Sequence, residues 1–148
     1  MIDTFLNEKA LIKDEFEEFQ NNLDENIKIF SEELFDGYGE DNEHALRCFF
    51  SFIESRKYLD RFLREVDLEK IFKLTPEVSI DDDGEISVEW FGEIGSRCSL
   101  TFGGDGLLYF ASMNKGLSLN FKQFINRKSI SIIENEIEKI SENKLLWN

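Results

Sequence analysis

The sequence predicts an α+β fold: an N-terminal antiparallel helical hairpin, a four- to five-stranded antiparallel meander and a C-terminal helix. Apolar residues follow a helical period up to residue 75, and the period changes to two after Pro76. Because helices and strands occupy separate runs, this layout is favoured over a parallel α/β fold. A length of 148 residues suits one domain, 1–148. Within it, we predict the helical hairpin at 1–75, the antiparallel sheet at 76–121 and the C-terminal helix at 122–148.

The first predicted helix spans residues 2–35 and carries one apolar stripe. Its members recur at intervals of three and four residues: Ile12, Phe16, Phe19, Leu23, Ile27, Phe30 and Leu34. Gly37 and Gly39 then favour a loop. Because that loop is short, we expect the next helix to pack antiparallel to this one.

The second predicted helix covers residues 43–66. Helical spacing links Ala45, Phe49, Phe52, Leu59, Leu63 and Val66. Leu46, Phe50 and Ile53 lie beside this stripe and widen it. We therefore expect this helix to be the more buried of the two.

Alternation predicts the strands. Apolar residues occupy every second position in 86–90, 98–102 and 117–121, which is typical of strands with one solvated face. Residues 107–113 are apolar on both faces, which predicts a central or covered strand, and 78–80 could add a fifth. Ser131 and Glu134 match a capping box that would begin the last helix.

Charge and composition limit the classes of function. The chain has 31 acidic and 17 basic residues, a net charge of −14, and a hydrophobic fraction of 41%. This fraction excludes intrinsic disorder, and the charge argues against direct binding to nucleic acid or an anionic membrane. Neither a signal peptide nor a transmembrane segment is recognisable, and there are two cysteines, so we expect a cytoplasmic protein.

The negative charge is concentrated near the N-terminus. Residues 1–43 hold 14 acids and 3 bases, a net charge of −11. At about 100° per residue, Asp14, Glu18, Glu25 and Glu32 fall opposite the apolar stripe. We call these four residues the acidic ridge, which is about 27 Å long. It is either a docking surface for a basic partner or an ordinary solvated helix face.

One basic cluster lies on the second predicted helix. It consists of Arg56, Lys57, Arg61 and Arg64. Because the two helices are expected to be neighbours, we predict that these bases pair with acids of the first helix. The alternative, contact with nucleic acid beside Tyr58, is opposed by the net charge.

No catalytic or metal-binding residues are identified with any specificity. His44 and Cys48 share a helical face, but a zinc site needs three or four ligands and only Cys98 could add to them. The segment 81–84 departs from a calcium loop and favours a hairpin turn. There is neither a phosphate loop nor a nucleophile elbow, so the sequence predicts no cofactor.

Two adjacent aromatic residues end one predicted strand. Trp90 continues the apolar face of residues 86 and 88, which predicts a position in the core. Phe91 falls on the polar face, where it either packs under a helix or binds a partner.

The stretch from Asp83 to Trp90, followed by Ser99 to Tyr109, resembles a hairpin pattern of small uncharacterised bacterial proteins. The resemblance covers 27 residues, from 83 to 109, and implies no activity.

These observations favour a non-enzymatic bacterial or phage protein that docks on a basic surface of a target protein. An inhibitor, an antitoxin-like protein or an anti-defence protein would act in this way, with partial nucleic-acid mimicry as one form of it. Two alternatives remain open. One is a small enzyme or ligand-binding module that uses the crevice between sheet and helices, and the other is a homo-oligomer built through the helical hairpin.

Overall fold

The computed structural model describes residues 2–37, 42–93 and 95–147, with side chains at 13–34, 36, 43–93 and 95–142. The layout is α+β, as the sequence predicts. The elements are α1 (Ile2–Gly37), α2 (Asn42–Glu65), α3 (Leu68–Ile71), β1 (Glu77–Ile80), β2 (Ile86–Phe91), β3 (Arg97–Phe102), β4 (Leu107–Asn114), β5 (Leu117–Phe124) and α4 (Arg127–Trp147). None of the described helices combines the length and apolarity that crossing a bilayer requires.

The five strands form one antiparallel meander in the order β1-β2-β3-β4-β5. The fifth strand that the sequence allowed is therefore present as β1. Register places Val88 opposite Leu100 and Leu100 opposite Phe110, so alternate residues of successive strands share one face. That face is buried under the helices, while the residues between them point to the opposite, open face of the sheet.

The core lies between the helices and the sheet. Phe16 of α1 meets Phe72 with ring centroids 5.0 Å apart, and Phe72 lies 6.4 Å from the ring of Trp90 on β2. Trp90 is 1% exposed, which confirms its predicted core position, and its Nε1–H donates a 2.7 Å hydrogen bond to the carbonyl oxygen of Ile71. These contacts join α1, the segment around α3, and the sheet.

The apolar stripe of α1 is buried as predicted. Its four most buried members are Phe19, Leu23, Phe30 and Leu34, and Phe16 and Ile27 are partly buried against the same core. The side chain of Ile12 lies outside the described residues.

The prediction of a wide buried stripe on α2 is wrong. Leu46, Phe50 and Ile53 are exposed at 48%, 60% and 41%. Helical geometry explains this result, because these residues lie roughly opposite Cys48, Phe52 and Leu59 when each step is about 100°. The N-terminal half of α2 is thus apolar on two opposite faces, and the sheet can cover only one. We call Leu46, Phe50 and Ile53 the outer stripe of α2.

The apolar face of β5 is also more exposed than its alternation predicts. Leu117, Leu119 and Phe121 point to the helix side of the sheet, beside Phe110 on β4. Leu117 is nevertheless 78% exposed and Leu119 41% exposed. The helices cover β2, β3 and β4, and the last strand extends beyond them. Strand β4 is internal, as predicted, but its second face is open, with Ala111 and Met113 exposed.

Helix α4 begins four residues before the predicted capping box. Asn126 Oδ1 accepts a 2.9 Å hydrogen bond from the Ser129 N–H, and Ser129 Oγ accepts from the Asn126 N–H at 3.1 Å. This reciprocal pair satisfies two N–H groups at the N-terminus of the helix. Glu134 has another role, since its Oε2 accepts a hydrogen bond from the Asp67 N–H beside α3.

Candidate functional site

The acidic ridge lies on the outer surface of α1. Asp14, Glu18, Glu25 and Glu32 are all exposed, opposite the stripe that packs on the core. Side-chain positions predicted from helical geometry alone are thus accessible to solvent. The ridge runs along about five turns of one regular helix, which holds its charges at fixed spacings.

Little positive charge lies on the helix that carries the ridge. Residues 13–36 contain nine acids but only two bases, Lys13 and Lys28. The salt bridges among the described residues lie within α2, between Lys73 and α4, and within α4. The acids of α1 take part in none of them. Their field is therefore not cancelled by ion pairs and extends into the solvent.

Among the described side chains, the basic cluster forms no ion pair with α1, and the predicted pairing is wrong for Arg56 and Arg61. Arg56 pairs with Asp60 at 3.1 Å, and Arg61 pairs with Glu65 at 3.5 Å. Both pairs join residues four apart on α2, where neighbouring turns already bring the side chains close. Contact between α1 and α2 is made instead by apolar groups such as Phe30 and Phe52, whose ring centroids are 5.2 Å apart.

Crowding of carboxylates is evident at the N-terminal end of the ridge. The Thr75 hydroxyl lies within hydrogen-bond distance of the carboxylates of Glu15 and Glu18, which compete for its single proton. Partial burial raises the pKa of Glu15, and the neighbouring charges of Glu18 and Asp14 raise it further. These contacts join this end of α1 to the α3–β1 connection.

Phe91 lies on a different surface from the ridge. It is 40% exposed and points to the open face of the sheet, opposite to Trp90 and the helices. There it lines a shallow pocket with Arg97 and Met113, beside the turn between β2 and β3. The structure thus brings the four ridge residues together but does not bring Phe91 to them.

His44 and Cys48 do meet on α2. His44 Nε2 lies 3.6 Å from Cys48 Sγ, and the thiol is 4% exposed. Burial raises the pKa of Cys48, and the nearby Asp83 raises it further. A protonated thiol is a poor nucleophile, so the electrostatics oppose a catalytic Cys–His pair.

Cys98 does not join that pair. It is buried on β3, where its thiol lies 3.3 Å from Ser112 Oγ, and burial raises its pKa to about 11. Among the described residues, no three histidine, cysteine or acidic side chains are arranged to hold a metal ion. Cys48 and Cys98 thus have the properties of small buried apolar side chains.

Both thiols should therefore resist modification in the folded protein. We expect neither Cys48 nor Cys98 to react measurably with a chromogenic disulfide reagent at pH 7.5, because both are buried and protonated. Both should react within minutes in denaturant. One fast-reacting thiol that disappears in Cys48→Ser would contradict this expectation and restore the enzymatic alternative.

The acidic segment 81–84 forms a hairpin turn, as predicted. Asp81 Oδ1 accepts hydrogen bonds from the N–H groups of Asp83 and Glu85, at 3.0 and 2.9 Å. Gly84 has a φ of +87° and lies directly against α2. The carboxylate that could have bound a cation here holds the backbone of the turn instead.

Sequence reasoning missed two further surfaces. One is the outer stripe of α2, whose spacing of four and three residues was assigned to the core. The other is the edge of β5, whose strand was predicted but whose exposure was not. Angles measured from the buried residues of α2 could have identified the first surface, but the second depends on how far the helices reach.

Comparisons of the chain with protein-family models, with curated proteins and with solved structures found no match.

Proposed function

We propose that this chain is a non-enzymatic protein-binding domain that docks its acidic ridge on a basic surface of a target protein. One observation carries the proposal: four exposed carboxylates lie in line on a helix whose acids take part in no described salt bridge. An inhibitor, an antitoxin-like protein or an anti-defence protein would act by occupying such a basic surface.

Electrostatics supports this mode of binding. Fixed charges of one sign attract a partner of opposite sign during diffusion and raise the association rate by about 10- to 1,000-fold at low ionic strength. At physiological salt the screening length is about 8 Å, so a nearby ridge acts more strongly than the net charge of the whole chain.

Partial mimicry of nucleic acid is one form of this proposal. The ridge has roughly one carboxylate per 6–10 Å, whereas duplex DNA carries one charge per about 1.7 Å. The acids beside the ridge on α1, including Glu17, Asp24 and Glu33, are exposed and increase the charge density. A protein whose basic surface normally binds nucleic acid is therefore a suitable class of target.

Charge reversal along the ridge tests the proposal. We expect a variant with Asp14, Glu18, Glu25 and Glu32 all changed to Lys to associate with its target at least about tenfold more slowly at low salt. Its association rate should also lose its salt dependence. Targets would be captured with the wild-type chain, and their association rates with each variant measured by surface plasmon resonance.

A matched control separates the ridge from net charge. Glu69, Glu77, Asp82 and Asp83 are exposed acids outside α1, and changing these four to Lys alters the formal charge by the same amount. This control variant should keep most of the wild-type association rate. Equal slowing in both variants, or unchanged binding by the ridge variant, would refute the proposal.

Self-association through the helical hairpin is the second candidate, and the outer stripe of α2 favours it. Leu46, Phe50 and Ile53 form an apolar strip about 10 Å long on the solvent side of the helix. Exposed apolar patches that lie together mark interaction surfaces more often than scattered residues do.

Sedimentation velocity over a range of concentrations tests this second candidate. We expect the wild-type chain to self-associate. Phe50→Glu should weaken the dimer at least tenfold, because it places a charge in the outer stripe, which the dimer would bury. Met113→Glu is the control, since Met113 is 43% exposed on the open face of β4, on the side of the sheet opposite to the helices. A monomeric wild-type chain at all concentrations would exclude the candidate.

A further inference from the structure

The outer edge of β5 is a long strand edge without a strand partner in the described part of the chain. β5 ends the sheet and pairs with β4 along its whole length, from Leu117 to Phe124. Eight residues at about 3.3 Å each make this edge about 26 Å long. Such an edge presents N–H and C=O groups that can bind another strand.

The opposite edge of the sheet provides a contrast. β1 is only four residues long, and α1 lies against it. Short edge strands and covering helices are common ways of preventing further strand pairing. β5 has neither protection among the described residues.

Apolar side chains flank the open edge on both faces of β5. Leu117 and Leu119 are exposed on the helix side, and Phe124 is exposed on the open face. A strand added beside β5 would cover these side chains while its backbone completed the hydrogen bonds of the edge. The edge therefore offers both backbone and apolar interactions.

The residues of β5 and those that flank it in sequence are basic, and the nearest acids in space to the central Lys122 include Asp105 and Glu85. From Gly106 to Ile133 the sequence has no aspartate or glutamate, and it has four bases. These are Lys115, Lys122, Arg127 and Lys128, and all four are exposed. None of them takes part in a described salt bridge.

Lys122 lies in the middle of this basic region. Its Nζ is 4.6 Å from the centroid of the Tyr109 ring, on the open face of the sheet. The aromatic ring thus holds the ammonium group over β4, and rotation of the flexible lysine side chain brings it to a carboxylate on a strand added at the free edge.

We propose that the free edge of β5 binds an extended acidic segment of a partner protein by strand addition. Backbone hydrogen bonds supply affinity in this mode, and the side chains on alternating faces supply specificity. A second copy of the chain is the less suitable occupant, because pairing two β5 edges brings together two sets of the same four bases. An acidic segment complements them.

Peptides of defined sequence test the proposal. A dye-labelled nine-residue peptide of alternating Glu and Val should bind, and its affinity should exceed that of the matched Lys and Val peptide at least tenfold. Fluorescence anisotropy gives the affinities. In NMR spectra, the amide shifts that change most on titration should belong to residues 117–124.

Single charge reversals locate the site. Lys122→Glu should weaken binding of the Glu and Val peptide at least tenfold. Lys28→Glu on α1 should change it less than about twofold, since Lys28 is also exposed and α1 lies against β1, at the opposite edge of the sheet. Both variants leave the acidic ridge intact, so this test is independent of the proposed function.

Three results would overturn the proposal. The first is equal affinity for the acidic and the basic peptide, or no binding of either. The second is an NMR footprint centred outside β5. The third is a dimer of the chain that Leu119→Glu converts to a monomer, because a second copy would then occupy the edge.

Discussion

Gly84→Ala is expected to lower the free energy of unfolding by about 2–5 kcal/mol. Gly84 has a φ of +87°, a conformation that costs an alanine about 1–2 kcal/mol. An added Cβ would also lie 2.6 Å from the carbonyl oxygen of Cys48 and 2.9 Å from the backbone nitrogen of Phe52. Because both are backbone atoms of α2, this steric clash can be removed only if the helix and the hairpin move apart.

Gly116→Ala is the matched control for this prediction. Gly116 has a φ of +81°, but no atom lies within 4 Å of an added Cβ. Its cost should be limited to the backbone conformation, about 1–2 kcal/mol. The stability of both variants is measured by urea unfolding followed by far-UV circular dichroism. Equal losses of stability would show that the close approach of the turn to α2 contributes nothing to the effect of Gly84→Ala.

Trp90→Ala is expected to lower the free energy of unfolding by about 3–5 kcal/mol, because it removes the largest of the fully buried side chains that the structure describes. Trp90→Phe keeps an aromatic ring but removes the donor that binds the carbonyl oxygen of Ile71. Leaving this buried acceptor without its partner costs about 1–3 kcal/mol. The same unfolding measurement distinguishes the packing contribution from the hydrogen bond.

The neighbouring residue provides the control. Phe91 follows Trp90 on the same strand but points to the open face, so Phe91→Ala should cost only about 1 kcal/mol. A loss as large as that of Trp90→Ala would contradict the assignment of the two faces. Capture of a target should be unaffected by any of these variants that remains folded, because none alters the acidic ridge.

The elements and much of the ridge follow from local patterns. The stripe from Phe16 to Leu34 is a property of one helix, and alternation around Val88 and Leu100 is a property of single strands. Exposure of Glu18 and Glu25 follows because they lie opposite that stripe. Such features need only the geometry of one element and one buried face.

Partners of polar groups were predicted less well. Arg56 pairs within α2, and Glu134 binds the backbone of Asp67 although it also fits a capping pattern. Several acceptable partners exist for each group in the sequence, and the fold decides which one lies within reach. A capping pattern of two residues is too short to select between Asn126 and Ser131.

The sequence by itself determined the order of the elements, the faces of α1 and β2, and the concentration of acid on α1, because these depend on periodicity and residue type alone. Only the tertiary structure decided which apolar surfaces are covered. Phe50 and Leu119 have the residue types of a core but remain exposed, since the single helical layer covers one side of the sheet and packs mainly on β1 to β4. The outer stripe of α2 and the edge of β5 therefore remain available to partners.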